Sequence, residues 1–137
     1  MKKVLEVRHL TKRYGQHLAL DNVNLTLEKG EVYGLIGRNG AGKTTLIKVI
    51  TKLIRPSQGS VSLFHSTSKS EWTHALKRVG SVIETPVALN HLNARQNLRY
   101  YCKIHHVPNP DKVIDEILDT VGLGHTGKKK FRIVYAE

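Results

Sequence analysis

The chain has one cysteine, Cys102, so no internal disulfide can form, in keeping with a reducing, cytosolic compartment. No apolar run approaches the roughly 20 residues that a membrane-spanning helix needs. No secretory leader is visible. Met1-Lys2-Lys3 leads into Val4-Leu5-Glu6-Val7-Arg8, which is too short and too charged. Acids are scarce, 11 Asp and Glu against 22 Lys and Arg, and the net charge of +11 favours anionic partners. The basic residues are nevertheless spread, 11 in residues 1–60 and 11 in 61–137, and Lys128-Lys129-Lys130 is the one dense run. Aromatic residues make up only 6% and do not alternate with basic ones, so no RNA-binding pattern is present and nucleic acid is not the expected ligand. The eight histidines show no ligand spacing. Cys102 and His106 stand four apart, but two ligands do not make a zinc site. No repeats or low-complexity segments occur, and 137 residues make one domain or part of one.

What the chain does have is Gly37-Arg38-Asn39-Gly40-Ala41-Gly42-Lys43-Thr44, followed by Thr45. This fits the phosphate-binding P-loop pattern, or Walker A. The context agrees. Val32-Tyr33-Gly34-Leu35-Ile36 reads as a buried strand before it, and Leu46, Ile47, Val49, Ile50, Leu53 and Ile54 recur as on a buried helix after it. In such a strand–turn–helix the N–H groups of the turn form a nest for anionic oxygens, and the helix dipole points to the same place. Glycines 37, 40 and 42 permit the backbone angles and close approach. Lys43 reaches the β- and γ-phosphates, the Thr44 hydroxyl can ligate Mg²⁺, and Thr45 can donate to a phosphate. Binding of a nucleoside triphosphate with Mg²⁺ is therefore expected.

The remaining elements read in order. Residues 4–10 and 17–27 alternate as two strands joined by a turn that holds Tyr14, an antiparallel pair beside the P-loop strand. Arg55-Pro56 ends the P-loop helix. Residues 60–64 form a strand, Ser70 caps a short helix over 71–78, and Val79 to Ile83 form a further strand ending in Glu84-Thr85-Pro86. Asn93 caps a helix from about Ala94 to His105. Asp111 begins another, apolar at Val113, Ile114, Ile117, Leu118 and Val121 and stopped by Gly122 and Gly124.

Tyr14 in its turn, the stretch GEVYGLIGRNGAGKTTLIKVITKLIRPSQGSV (30–61), the strand ending at Glu84 and a helical segment closing on VGL (121–123) together resemble the nucleotide-binding subunit of ABC transporters. Within that family they are most similar to the bacterial branch serving bacitracin and lantibiotic export and immunity. The resemblance covers about residues 3–130. It implies an α/β P-loop NTPase, an ABC ATPase-like core with N-terminal antiparallel strands and a C-terminal helical segment. Residues 1–84 would be the ATP-binding core, 85–130 the Q-loop and helical segment, and 131–137 a non-matching tail. The resemblance makes Tyr14 the aromatic that stacks on adenine, with a tyrosine holding a strand corner as the lesser alternative. It makes Arg38 to Thr45 the phosphate and Mg²⁺ cradle. Glu84 stands where most of the family carries a glutamine that touches Mg²⁺. A carboxylate is still an oxygen ligand, and a solvated loop carboxylate is an equal alternative. Residues 85–105 would meet the transmembrane permease subunit. A second ATP-binding subunit is the other implied partner, at the inner face of the cell membrane.

The family's signature motif, its Walker B strand with Asp and catalytic Glu, and its switch histidine have no counterpart here. Phe131 to Glu137 imitate a Walker B poorly, with Arg132 interposed and no metal-binding Asp. The expectation is therefore a chain truncated before those motifs, one that binds MgATP and hydrolyses it weakly or not at all. In the family, two domains meet head to tail, and pairing with an intact subunit would not supply the missing Glu in cis. Two other readings stay open: a small P-loop kinase, and a non-catalytic remnant or interaction protein.

Overall fold

The computed structural model describes residues 2–66, 68–84 and 88–124. The chain divides into two compact units, Met1–Thr85 and Pro86–Glu137.

The first unit is built on a three-stranded antiparallel sheet of order β2-β1-β3. Its strands are β1 (Lys3–Tyr14), β2 (His17–Glu28) and β3 (Gln58–Leu63). β1 and β2 form a hairpin around Gly15-Gln16, with Tyr14 paired directly to His17. Leu5 and Val7 face the core at the two-residue period of a strand, and the next core residue is Leu10, three positions on. A register shift between Val7 and Leu10 accounts for the extra residue. His9 sits at the shift in the left-handed region, φ 48°, and its N–H donates to Asn24 Oδ1 at 2.9 Å. This is bulge behaviour: one inserted residue returns the strand to its original face.

Two helices complete the unit, α1 (Lys43–Ile50) and α2 (Lys69–Leu76). The core gathers Leu5, Val7, Leu10, Leu20, Leu46, Val49, Leu63, Trp72 and Ala75 from all five elements. The cap of α2 is Ser68 rather than Ser70. Its hydroxyl accepts from Glu71 N–H while the Glu71 carboxylate accepts from Ser68 N–H, a complete capping box. Ser70 has no Glu or Gln three positions on, so it lacks that reciprocal partner.

Two expected strands do not form. Among the described residues Val32 to Ile36 and Val79 to Ile83 pair with no strand, and the P-loop is not fed by a buried β-element. Val32 is 96% exposed and Ile36 97%. The cause is missing neighbours. A run apolar on both faces needs strands on either side and layers above and below, and the described residues supply neither.

The second unit is a helical hairpin of α3 (Ala94–Ile104) and α4 (Pro110–Thr120). Asn93 caps α3 in a second capping box with Gln96. Cys102, Ile114 and Leu118 are buried between the helices, flanked by Ala94, Leu98, Val107 and Leu123. Arg95 pairs with Asp115 and Arg99 with Asp111, so the helices run in opposite directions. Asn97 is buried and ties residues 89–92 to α3. Its Oδ1 accepts from Leu89 N–H at 2.7 Å, and its Nδ2 donates to the carbonyls of Leu89 and Asn93. Thr85, Pro86, Lys128 to Lys130 and the tail from Phe131 lie outside the described residues.

Candidate phosphate-binding site

α1 begins with no side-chain cap and no acid in its first turn. Its N-cap is Gly42, with φ 85°, an angle that a Cβ disfavours. A Cβ there would also meet the Ala19 carbonyl oxygen at 2.4 Å and Leu20 Cδ2 at 2.9 Å. The loop is thus pressed against β2, and glycine is what permits it. Leu46 N–H returns to the Gly42 carbonyl at 2.8 Å. The N–H groups of Lys43, Thr44 and Thr45 precede that first helical bond and have no acceptor among the described residues. These are free donors at the positive end of a helix, the arrangement that favours a bound oxyanion.

Lys43 lies folded over the same turn. Its Nζ donates to the carbonyls of Gly37 at 2.6 Å and Arg38 at 2.8 Å, and Ala41 N–H closes the turn on the Arg38 carbonyl at 3.1 Å. The ammonium is therefore positioned by the loop that it would help to charge. Gly40, at φ 84°, has open space where a Cβ would stand, so its glycine answers the backbone angle rather than crowding.

The hairpin brings a second group of residues to this turn. Tyr14, His17 and Ala19 line one cleft of about 380 Å³ together with Asn39 to Thr45. The Tyr14 ring is 47% exposed, and Lys12 Nζ stands 4.9 Å from its centroid. A cation on one face leaves the other face for a planar partner. Tyr14 and the P-loop are more than twenty residues apart in sequence, yet they share this cleft. Gly37 and Arg38 do not line it; their carbonyls hold Lys43, which does. His17 was not among the residues singled out from the sequence. The signal for it lies in the tight turn, which sets His17 opposite Tyr14.

Glu84 is placed differently. It has φ 65°, and its Oε1 accepts from Lys48 Nζ at 2.9 Å. Lys48 lies one turn beyond Thr44 on α1, so the carboxylate is held beside that helix but does not line the cleft. Among the described residues no Asp or Glu lines the cleft. The residues present fit a triphosphate: three free backbone donors, an ammonium, two threonine hydroxyls and an exposed ring.

Comparison with known proteins agrees with this geometry. The sequence profile of the ABC transporter family matches residues 20–135. The bacitracin transport ATP-binding protein BcrA of Bacillus licheniformis is 38% identical over 129 residues, which cover 94% of this chain and 42% of that protein. The lantibiotic transport ATP-binding protein SrtF of Streptococcus pyogenes is 37% identical over 127 residues, covering 92% and 53%. Among solved structures, an ATP-binding subunit of an ABC transporter superposes with a TM-score of 0.75 at 27% identity, covering 89% of this chain and 52% of that one. CbiO1 of Clostridium perfringens, described as part of the ABC transporter complex CbiONQ, superposes at 0.70 with 22% identity and shows the shared fold. The chain spans roughly two-fifths to a little over half of the length of these relatives. With its P-loop at the start of α1, its tyrosine-bearing hairpin beside it and a family match over most of its length, the chain belongs to the ABC transporter family.

Proposed function

We propose that this chain is the ATP-binding part of a bacterial ABC transporter serving peptide-antibiotic export or immunity, and that its cleft takes MgATP. One observation supports this most: the Tyr14 ring and the free N–H groups of α1 open onto a single cleft. Adenine would lie on the open face of Tyr14. The phosphates would lie on the turn Gly37 to Gly42 and the first turn of α1. Lys43 would exchange its two carbonyl partners for phosphate oxygens. Thr45 would donate to a phosphate, and Thr44 would hold Mg²⁺, which when bound neutralises charge shared by the β- and γ-phosphates. Glu84 would become a second metal ligand only by leaving Lys48.

Hydrolysis needs a group that orients water at the γ-phosphate. Among the described residues no carboxylate lines the cleft, so these 137 residues are expected to bind MgATP and to hydrolyse it very weakly or not at all. A transmembrane permease subunit and a second ATP-binding subunit are the proposed partners, at the cytoplasmic face of the membrane. Among the described residues no helix is long and apolar enough to cross a membrane.

Calorimetric titration with MgATP, paired with a phosphate-release assay, tests this. Stacking on an aromatic contributes about 1–3 kcal/mol per base, so Tyr14→Ala should weaken binding about fivefold or more. Undiminished affinity in Tyr14→Ala removes the adenine assignment. Steady phosphate release that Lys43→Ala abolishes removes the assignment of binding without turnover.

A further inference from the structure

A second cleft, of about 570 Å³, lies at the opposite end of α1 from the P-loop, where α1, β3 and α2 meet. Lys52, Arg55 and Lys69 line it, with the hydroxyl residues Ser60 and Ser66, and Trp72. No Asp or Glu does. None of the three cations is ion-paired among the described residues, and the ion pairs that do form there use other bases. Three like charges around one hollow repel one another unless an anion sits among them.

Two features set this apart from a merely basic surface. Trp72 is 6% exposed, and its Nε1–H is buried with no acceptor among the described residues. Buried donors are nearly always paired, and an orphan calls for an oxygen that a ligand or a water would supply. Lys52, in addition, has φ 58°, an angle at which lysine is uncommon and glycine or asparagine is the easy choice. That conformation sets its ammonium 4.5 Å from the centroid of the Trp72 ring, so the charge is fixed at the cleft wall instead of trailing into solvent. A donor set of ammonium, guanidinium, indole N–H and hydroxyl groups, with no carboxylate among them, selects an oxyanion that has several acceptor oxygens.

We propose that this cleft is an anion site, distinct from the P-loop, for a phosphate group held by Lys52, Arg55, Lys69 and Trp72. The phosphate can come from solution or from a lipid headgroup, and the two sources are separable by experiment.

Trp72 is the only tryptophan, so its fluorescence reports this cleft alone. The titration is made on the full chain carrying Lys43→Ala, which weakens the competing P-loop. Inorganic phosphate is added at constant ionic strength against chloride, and in a parallel series phosphatidylcholine vesicles are added with or without phosphatidic acid. The comparison protein also carries Lys52→Asn and Lys69→Ala. Asparagine tolerates the left-handed angle, and Lys69 is exposed, so the fold is preserved. If the pair does not melt like its parent, Lys69→Ala alone carries the comparison. A saturable change is expected, at least about tenfold weaker in the comparison protein, as loss of charge-assisted bonds requires. A response to inorganic phosphate identifies a soluble oxyanion, and one to phosphatidic acid vesicles only identifies a headgroup. Either supports the site. No saturable response to either probe, or equal affinity in the comparison protein, overturns it.

Discussion

Gly59 shows how much one residue can hold. Its φ is 82°, and a Cβ there would meet the His9 carbonyl oxygen at 2.3 Å and that of Arg8 at 2.5 Å. β3 runs this close where its pairing with β1 shifts register between Arg8 and Thr11. Gly59→Ala should therefore cost about 3 kcal/mol or more, with the strain of the angle added to a clash with backbone. Gly15 has φ 55° and open space, so Gly15→Ala should cost only about 1 kcal/mol. Urea unfolding midpoints of the two variants check the contrast, and equal losses would mean that crowding at Gly59 is relieved cheaply. The residues of the P-loop were legible in sequence because the chemistry restricts both type and spacing. Tyr14 was legible only through the family resemblance, and its meeting with the P-loop required the hairpin to be seen. His17 and the pairing of Lys48 with Glu84 were not legible. Each depends on where two distant segments come together, and neither residue type announces a partner.

At the scale of elements, caps and turns proved more informative than hydrophobic period. Asn93 was readable because its side chain and that of Gln96 satisfy each other's backbone N–H groups within four residues. The same rule, applied to Ser68 and Glu71, accounts for the start of α2 better than the choice of Ser70. Hydrophobic period failed at Val32 to Ile36 and Val79 to Ile83. A strand is stabilised by what lies beside it, and the period records only that the segment is suited to burial. Asn97 carries the joint between residues 89–92 and α3. Asn97→Ala should strand the half-buried N–H of Leu89 and cost about 1–2 kcal/mol. Amide hydrogen exchange should then show Leu89 losing protection while Ile114, in the centre of α4, keeps most of its own. Unchanged protection at Leu89 would mean that this segment is held by other contacts.

The whole molecule has two compact units and a first unit whose apolar surface is incompletely covered. Val32, Ile36 and Val82 are each more than two-thirds exposed. Unpaired apolar segments of this kind promote association between chains, while the net charge of +11 opposes it. Ile36→Lys should leave stability within about 0.5 kcal/mol, since the side chain makes almost no contact. It should reduce concentration-dependent association in sedimentation velocity. Association unchanged by this variant would place the adhesive surface elsewhere. The family was legible from sequence at this scale, and the profile match agrees with it. The bare exposure of the segment before the P-loop was not, because it follows from neighbours that the sequence of the segment itself does not describe.

The central claim is that the cleft of Tyr14 and the P-loop, as it stands in these 137 residues, binds MgATP. A thermal melt of the chain with and without MgATP, beside Lys43→Ala, tests it most directly. Ligand at about a hundred times its dissociation constant stabilises the folded state by roughly 2.7 kcal/mol, which in a domain of this size raises the melting temperature by several degrees. The account predicts that rise in the parent chain and its loss in Lys43→Ala. A cooperative melt that MgATP does not move, or a rise of equal size in Lys43→Ala, would contradict it.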